Sequence, residues 1–132
     1  MLGDANAKLG KEEASNEESG KHILHELSKR NGEMLLEFAL ENNLKVMSTQ
    51  FQHKKIHKGT WLALDQKTLN QIDHVMISSE KKELMEDVRT MRGPNIDSDH
   101  YLLKITLNQN FQKYILTFWS RNYFFNFSTP CI

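Results

Sequence analysis

At 132 residues and 15.4 kDa the chain has room for one domain. Its 17 Lys and Arg match 17 Asp and Glu, so no net charge draws it to nucleic acid or an anionic membrane, and any basic surface must be local. A single cysteine, Cys131, excludes an internal disulfide framework and a multi-cysteine metal site and is assigned no role.

Residues 8–30 are polar, and 11–20 have almost nothing to bury, which predicts a mobile, solvated loop. Asn31-Gly32-Glu33 opens a predicted helix with Leu35, Phe38 and Ala39 on one face, and Asn42-Asn43 is its stop because Asn tolerates left-handed angles. Alternation over residues 44–48 predicts a strand. A basic segment, 52–59, separates it from Thr60-Trp61-Leu62, and 65–67 reads as a turn. Residues 71–77 are short, apolar and β-rich, a predicted buried strand; 78–88 suit a short helix, and 91–95 a loop. Asp97-Ser98-Asp99-His100 opens a last strand through Tyr101, Leu103, Ile105 and Leu107. The tail, 108–132, crowds Phe118, Trp119, Tyr123, Phe124, Phe125 and Phe127 together with no polar face. It reads as an added element or as an appendage outside the domain. No run is long and apolar enough to span a membrane, and the first residues do not start a secretory signal. The expected setting is therefore intracellular, nucleus or cytoplasm, with no membrane partner.

Three clusters carry candidate chemistry: Gly3-Asp4-Ala5-Asn6-Ala7, Asn70-Gln71-Ile72-Asp73-His74 and Ser98-Asp99-His100. Each sets a carboxylate beside an Asn or His at a predicted strand end. That set suits phosphate-ester hydrolysis. Carboxylate oxygens hold Mg²⁺, an Asn amide orients water or phosphate, and a His moves a proton when a second carboxylate fixes its tautomer. Singly, each cluster also fits a bland role, an Asx turn or a structural hydrogen bond at a strand start.

The order of these motifs resembles the C-terminal half of the endonuclease/exonuclease/phosphatase family, from Leu2 to about Leu107. The motifs are Gly-Asp-x-Asn-Ala at 3–7, Thr60-Trp61, Asn-Gln-Ile-Asp at 70–73 and Ser-Asp-His at 98–100. Within that family the stretches at 31–39, 51–58 and 98–102 resemble the endonucleases of non-LTR retrotransposons and the craniofacial development protein 2-like proteins. The resemblance implies an α/β (α+β) fold, a partial two-sheet sandwich flanked by helices as in the DNase I-like fold, with the N-terminal half missing. Residues 1–107 would form this domain part and 108–132 the tail outside it.

The resemblance also implies roles. Asp4 would orient or deprotonate the attacking water, and Asn6 would bind it or the scissile phosphate. Asp99 would help hold Mg²⁺ (or Mn²⁺), His100 would contact the phosphate, Asp73 would orient His100, and Asn70 would support the site. Trp61 would pack the sheet. Ala5, where the family commonly has an apolar or aromatic residue, would cost packing and no chemistry. The family's first half carries a metal-binding Glu, an Asn and a Tyr or His motif that have no counterpart here. The expectation is a catalytically incomplete fragment of a DNA endonuclease of retroelement type. The alternative is a non-catalytic interaction module, and hydrolysis of inositol or sphingolipid phosphates finds less support.

Other features admit two readings. Lys54, Lys55 and Lys58 would touch the DNA backbone, or the segment is a solvated hairpin loop. His22 and His25, at i and i+3, would share a helix face as a metal pair but lack a further ligand. Met34, Met76, Met85 and Met91 read as core or semi-buried filler. Half a sandwich leaves sheet edge and apolar face exposed, which predicts self-association or a molten state.

Overall fold

The apolar run around residue 75 becomes the central strand, and the other elements assemble on its two faces. The computed structural model describes residues 2–15, 17–92, 99–109, 112–118 and 128–131. In chain order these form β1 (Leu2–Asp4), α1 (Arg30–Glu41), β2 (Leu44–Val46), β3 (Trp61–Leu62), β4 (Leu69–Asn70) and β5 (Asp73–Ser78). There follow β6 (Met85–Met91), β7 (Leu102–Gln109), β8 (Gln112–Phe118) and β9 (Ser128–Cys131). Short 3-10 turns lie at Lys11–Ser15, Met47–Thr49, Lys55–His57 and Ser79–Leu84. The fold is α+β. Among the described residues the strands form antiparallel sheets ordered β1-β5-β2, β3-β4 and β6-β7-β8-β9.

Successive side chains of β5 point to opposite faces, and each face builds a core. Met76 packs with Ala7, Leu9, Ile23, Val46 and the α1 residues Leu35, Leu36 and Ala39. Val75 packs with Met47 of the 3-10 segment and with Met85, Val88, Leu103 and Ile105 of the other sheet, with Ile77 at the margin. The central sheet thus lies between a helix and a second sheet. Full burial of each large aliphatic side chain stabilises this arrangement by about 1.5–3 kcal/mol. β1 pairs with the first half of β5 (Leu2↔Val75, Asp4↔Asp73) and β2 with the second half (Val46↔Met76, Leu44↔Ser78).

Helix α1 lies where the sequence predicts it and ends at the Asn pair. Asn42 Nδ2 donates to the Phe38 carbonyl at 2.8 Å, and Asn43 takes φ 53°. The buried stripe differs from the predicted one. It is Gly32, Leu35, Leu36 and Ala39, while Phe38 is 41 % and Met34 55 % exposed. One residue is about 100° of helix rotation, so a stripe centred between 35 and 36 leaves 38 outside. Gly32 sets that centre, because the Lys8 carbonyl lies against it where a Cβ would stand. Met34 is therefore not core filler, whereas Met76 and Met85 are buried.

Several other expectations are corrected. The stretch 11–20 is not a solvated loop throughout: it begins as a 3-10 turn and ends with Ser19 and Gly20 buried. Gly20 N–H donates to Thr49 Oγ1 at 2.8 Å. Nearby Leu9 and Ile23 are in the core, isolated apolar residues with no period to betray them. The strand at 44–48 stops at Val46 and turns into the buried 3-10 segment Met47–Thr49. The helix expected over 78–88 is a 3-10 turn followed by β6. A register shift between Met85 and Asp87 lets Met85 and Val88 share the inner face. That bulge produces an i, i+3 apolar spacing, which reads as helical in sequence.

The basic segment is not a free hairpin but is fastened to β6. His53 Nε2 meets Asp87 Oδ1 at 2.6 Å, His57 Nδ1 donates to the Thr90 carbonyl at 2.9 Å, and Thr90 Oγ1 donates to the Ile56 carbonyl at 3.0 Å. β7 continues past residue 107 to Gln109, and β8 pairs with it from Gln109↔Gln112 to Leu103↔Phe118. β9 adds to β8. Trp119, Tyr123, Phe124, Phe125 and Phe127 lie outside the described residues. Among the described residues no helix is long and apolar enough to cross a membrane.

Gly32 gives a test whose sign separates packing from propensity. In an open helix Gly→Ala stabilises by about 1 kcal/mol. Here Gly32→Ala is expected to destabilise by about 1–3 kcal/mol in urea denaturation, because a backbone carbonyl must move.

Candidate active site

The register β1–β5 sets Asp4 opposite Asp73. One buried residue, Thr60, then ties further segments to that point through its hydroxyl and its backbone. Thr60 Oγ1 accepts from the N–H groups of Ile72 and Asp73 at 3.0 and 3.1 Å. The Thr60 backbone donates to the Asn70 carbonyl at 2.7 Å and accepts from Tyr101 N–H at 2.8 Å. Leu62 N–H donates to the Asp99 carbonyl at 2.9 Å, and Trp61 bridges to His100. The segment 99–101 is thereby held alongside β3 and against the start of β5.

His100 is 4 % exposed, and its Nδ1 lies 2.9 Å from Oδ2 of Asp73, which is 2 % exposed. An ionised carboxylate only accepts, so Nδ1 carries the proton. The other oxygen, Asp73 Oδ1, is buried and has no hydrogen-bond partner among the described residues. On its far side the imidazole turns Nε2 toward Asp4 Oδ2 at 3.8 Å and Asp99 Oδ1 at 4.0 Å. Both of these carboxylates are oriented. Asp4 Oδ1 accepts from Asn6 N–H at 2.8 Å, in an Asx turn with Asn6 at φ 46°. Asn31 Nδ2 of α1 holds the Asn6 carbonyl at 3.1 Å. Asp99 Oδ2 accepts from the Trp61 indole N–H at 2.8 Å. Trp61 thus orients a site carboxylate, which corrects its reading as a packing aromatic alone.

A cavity of about 430 Å³ opens here, lined by Asp4, Asn6, Lys8, Trp61, Asn70, Ile72, Asp99 and His100. Five sequence-selected residues, Asp4, Asn6, Asn70, Asp99 and His100, meet at this mouth, with Asp73 behind the imidazole. Lys54, Lys55 and Lys58 do not line it; they lie in and beside the 3-10 turn fastened to β6. Lys8, not selected from sequence, does line it. Ligand atoms of Asp4, Asp73 and His100 lie within 4.8 Å of one another. Asp73 is engaged on the closed side of the ring, so the hard oxygen donors on the open side are Asp4 and Asp99, with the Asn6 and Asn70 amides nearby. That donor set fits Mg²⁺ or Mn²⁺.

Two further histidines brace the site. His74 is buried between Ser48 Oγ, 2.9 Å from Nδ1, and the Ala7 carbonyl, 2.7 Å from Nε2. Nε2 must donate to a carbonyl, so neutral His74 accepts from Ser48 and pins the turn after Asn6. Burial pushes its pKa below the ordinary value. His25 Nε2 accepts from Gln71 N–H at 3.0 Å, and burial, then the charge of Lys8, lower its pKa. Residues 22 and 25 lie in no helix, so the proposed metal pair is replaced by this backbone contact. Thr60 and His74 lie inside motifs singled out in the sequence, which do not reveal their bracing roles, and Ser48 escapes because a single Ser carries no spacing signal.

The buried His74 makes stability pH-dependent. Unfolded chain takes up a proton near pH 6.5 that native His74 resists, so stability is full above that value and falls as pH drops below it. Urea midpoints measured from pH 7.5 to 5 are expected to decline less steeply in His74→Gln than in the unsubstituted chain. Equal slopes would contradict the assignment.

The chain is 30 % identical to craniofacial development protein 2 of Bos taurus and 29 % identical to that of Tragulus javanicus, each over 103 residues, 78 % of this chain. It spans 17 % and 18 % of the length of these relatives. No family model matches, and no solved structure matches. The chain is therefore similar, over most of its own length, to one part of craniofacial development protein 2.

Proposed function

We propose that this chain carries one face of a Mg²⁺-dependent phosphodiesterase site of the endonuclease/exonuclease/phosphatase type, acting on DNA. The observation that carries the reading is the buried Asp73–His100 contact with Nε2 turned to the mouth between Asp4 and Asp99. Nδ1 held on a buried carboxylate fixes the tautomer of the imidazole and leaves Nε2 for the open side, the arrangement a proton-donating histidine needs.

In this reading Asp4 accepts a proton from the attacking water, and Asn6 and Asn70 orient the water and the phosphate. His100 donates from Nε2 to a phosphate oxygen, and Asp73 stabilises the imidazolium. Asp99, held by Trp61, and Asp4 would hold the divalent cation, which neutralises phosphate charge. Attack at phosphorus breaks the P–O3′ bond and leaves a 3′-hydroxyl and a 5′-phosphate. The metal-binding Glu that the resemblance places in the family's first half has no counterpart in this sequence, so turnover of this chain alone is expected to be slow.

A second reading, an interaction module, is favoured by a separate feature. An apolar groove of about 420 Å³, lined by Ala5, Asn31, Met34, Leu35 and Phe38, lies beside β1, an edge strand of the central sheet. Self-association through that edge would cover it.

Cation binding separates the two. Mn²⁺ titrated into ¹⁵N-labelled chain is expected to broaden amide signals around Asp4, Asn70 and Asp99 first. Asp99→Asn should weaken the effect about tenfold or more. Plasmid nicking in Mg²⁺ should fall about 100-fold or more in His100→Ala. Broadening spread evenly over the chain, or nicking unchanged in both Asp99→Ala and His100→Ala, would overturn the phosphodiesterase reading.

A further inference from the structure

We propose that Lys8 is the residue that grips the phosphate backbone at this site, and that the site is thereby suited to a strand bearing several phosphates. The inference rests on the phosphodiesterase reading and deepens it. Asp4 and Asp99 give the cavity an acidic mouth that repels an anionic substrate, and among the described residues lining it Lys8 is the cation. Lys8 forms no salt bridge among the described residues. Its side chain leaves a braced backbone. The neighbours Ala7 and Leu9 are buried in the core, so strand-like alternation turns Lys8 outward. His74 Nε2 holds the Ala7 carbonyl at 2.7 Å, Lys29 N–H donates to the Lys8 carbonyl at 3.0 Å, and Gly32 lies against that same carbonyl. A lysine held this way loses little backbone freedom on meeting a ligand.

Lys11 follows Lys8 three residues on. The next residues run beside His25, where Gly10 bridges to it and Lys11 N–H donates to its carbonyl. Lys58 lies in the field of Lys11 and Lys55, and burial followed by these two charges lowers its pKa. Lys11 itself is paired with Glu26 at 2.6 Å. A nucleic-acid strand that runs from Lys8 at the mouth past Lys58 and Lys55 would engage more positive charge than an isolated phosphoester, which would engage Lys8 alone. A structural lysine whose ammonium merely reaches water would leave binding unaffected.

Salt dependence isolates the contribution. Binding of a fluorescein-labelled DNA duplex is followed by anisotropy over a KCl series in Mg²⁺. Each lost phosphate contact removes about 0.9 from the slope of log K against log salt. Lys8→Ala and Lys8→Gln are expected to lose that amount, with binding about tenfold weaker at low salt, while Lys8→Arg keeps the slope. A dinucleotide with one phosphodiester should bind with a slope near that of a single contact and lose most of it in Lys8→Gln. A folded Lys8→Gln chain with the original slope, and Mn²⁺ broadening still centred on Asp4 and Asp99, would overturn the role of Lys8 while leaving the phosphodiesterase reading intact. No salt-dependent binding by the unsubstituted chain, with no local Mn²⁺ effect, would overturn both.

Discussion

At the beginning of the central strand a buried carboxylate faces a buried imidazole, and much of the surrounding structure exists to keep them in contact. Removing such groups from water costs several kcal/mol each, and their attraction offsets this only when the geometry is held closely. Asp73 is fixed by the β1–β5 register and by the Thr60 hydroxyl at its N–H. His100 is fixed by its bridge to Trp61 and by backbone bonds on either side of it. Thr60 belongs to both sets. Its hydroxyl holds the start of the strand and its backbone carbonyl holds Tyr101 N–H, so one residue couples the strand to the segment that carries His100.

The helix serves the site from the opposite face. Leu35, Leu36 and Ala39 bury the stripe that packs on Met76, while Asn31 and Gly32, in the first turn, are committed to the 5–8 segment. One helix therefore stabilises the core and aims Asp4, Asn6 and Lys8. The same arrangement leaves Met34 and Phe38 outside, beside β1, which is an edge strand among the described residues. Those two residues, with Ala5, form an apolar surface next to the chemistry but separate from it.

Much of this was legible in residue order. Residues 71–77 read as a buried strand because both faces are covered, and the Asn42-Asn43 stop follows from the left-handed angle one of them adopts. The acidic and amide residues of the site were legible because they sit at strand ends in a recognisable order. What escaped has physical causes. The bulge in β6 broke the two-residue period and made a strand look helical. Leu9 and Ile23 entered the core from a polar stretch as isolated residues. Lys8 is hidden in the sequence because a lone lysine between two core residues is neither a carboxylate motif nor a basic run. The Lys54–Lys58 region showed the converse: a basic run in sequence whose histidines are used to fasten it to Asp87 and Thr90.

The protonation of His100 tests the central claim directly. Long-range ¹H–¹⁵N correlation of the histidine rings at neutral pH should find Nδ1 of His100 protonated, with a downfield, slowly exchanging proton that disappears in Asp73→Ala. A His100 ring protonated at Nε2 alone, with Nδ1 bare, would contradict the account, because Asp73 would then not be the group that sets the imidazole for chemistry.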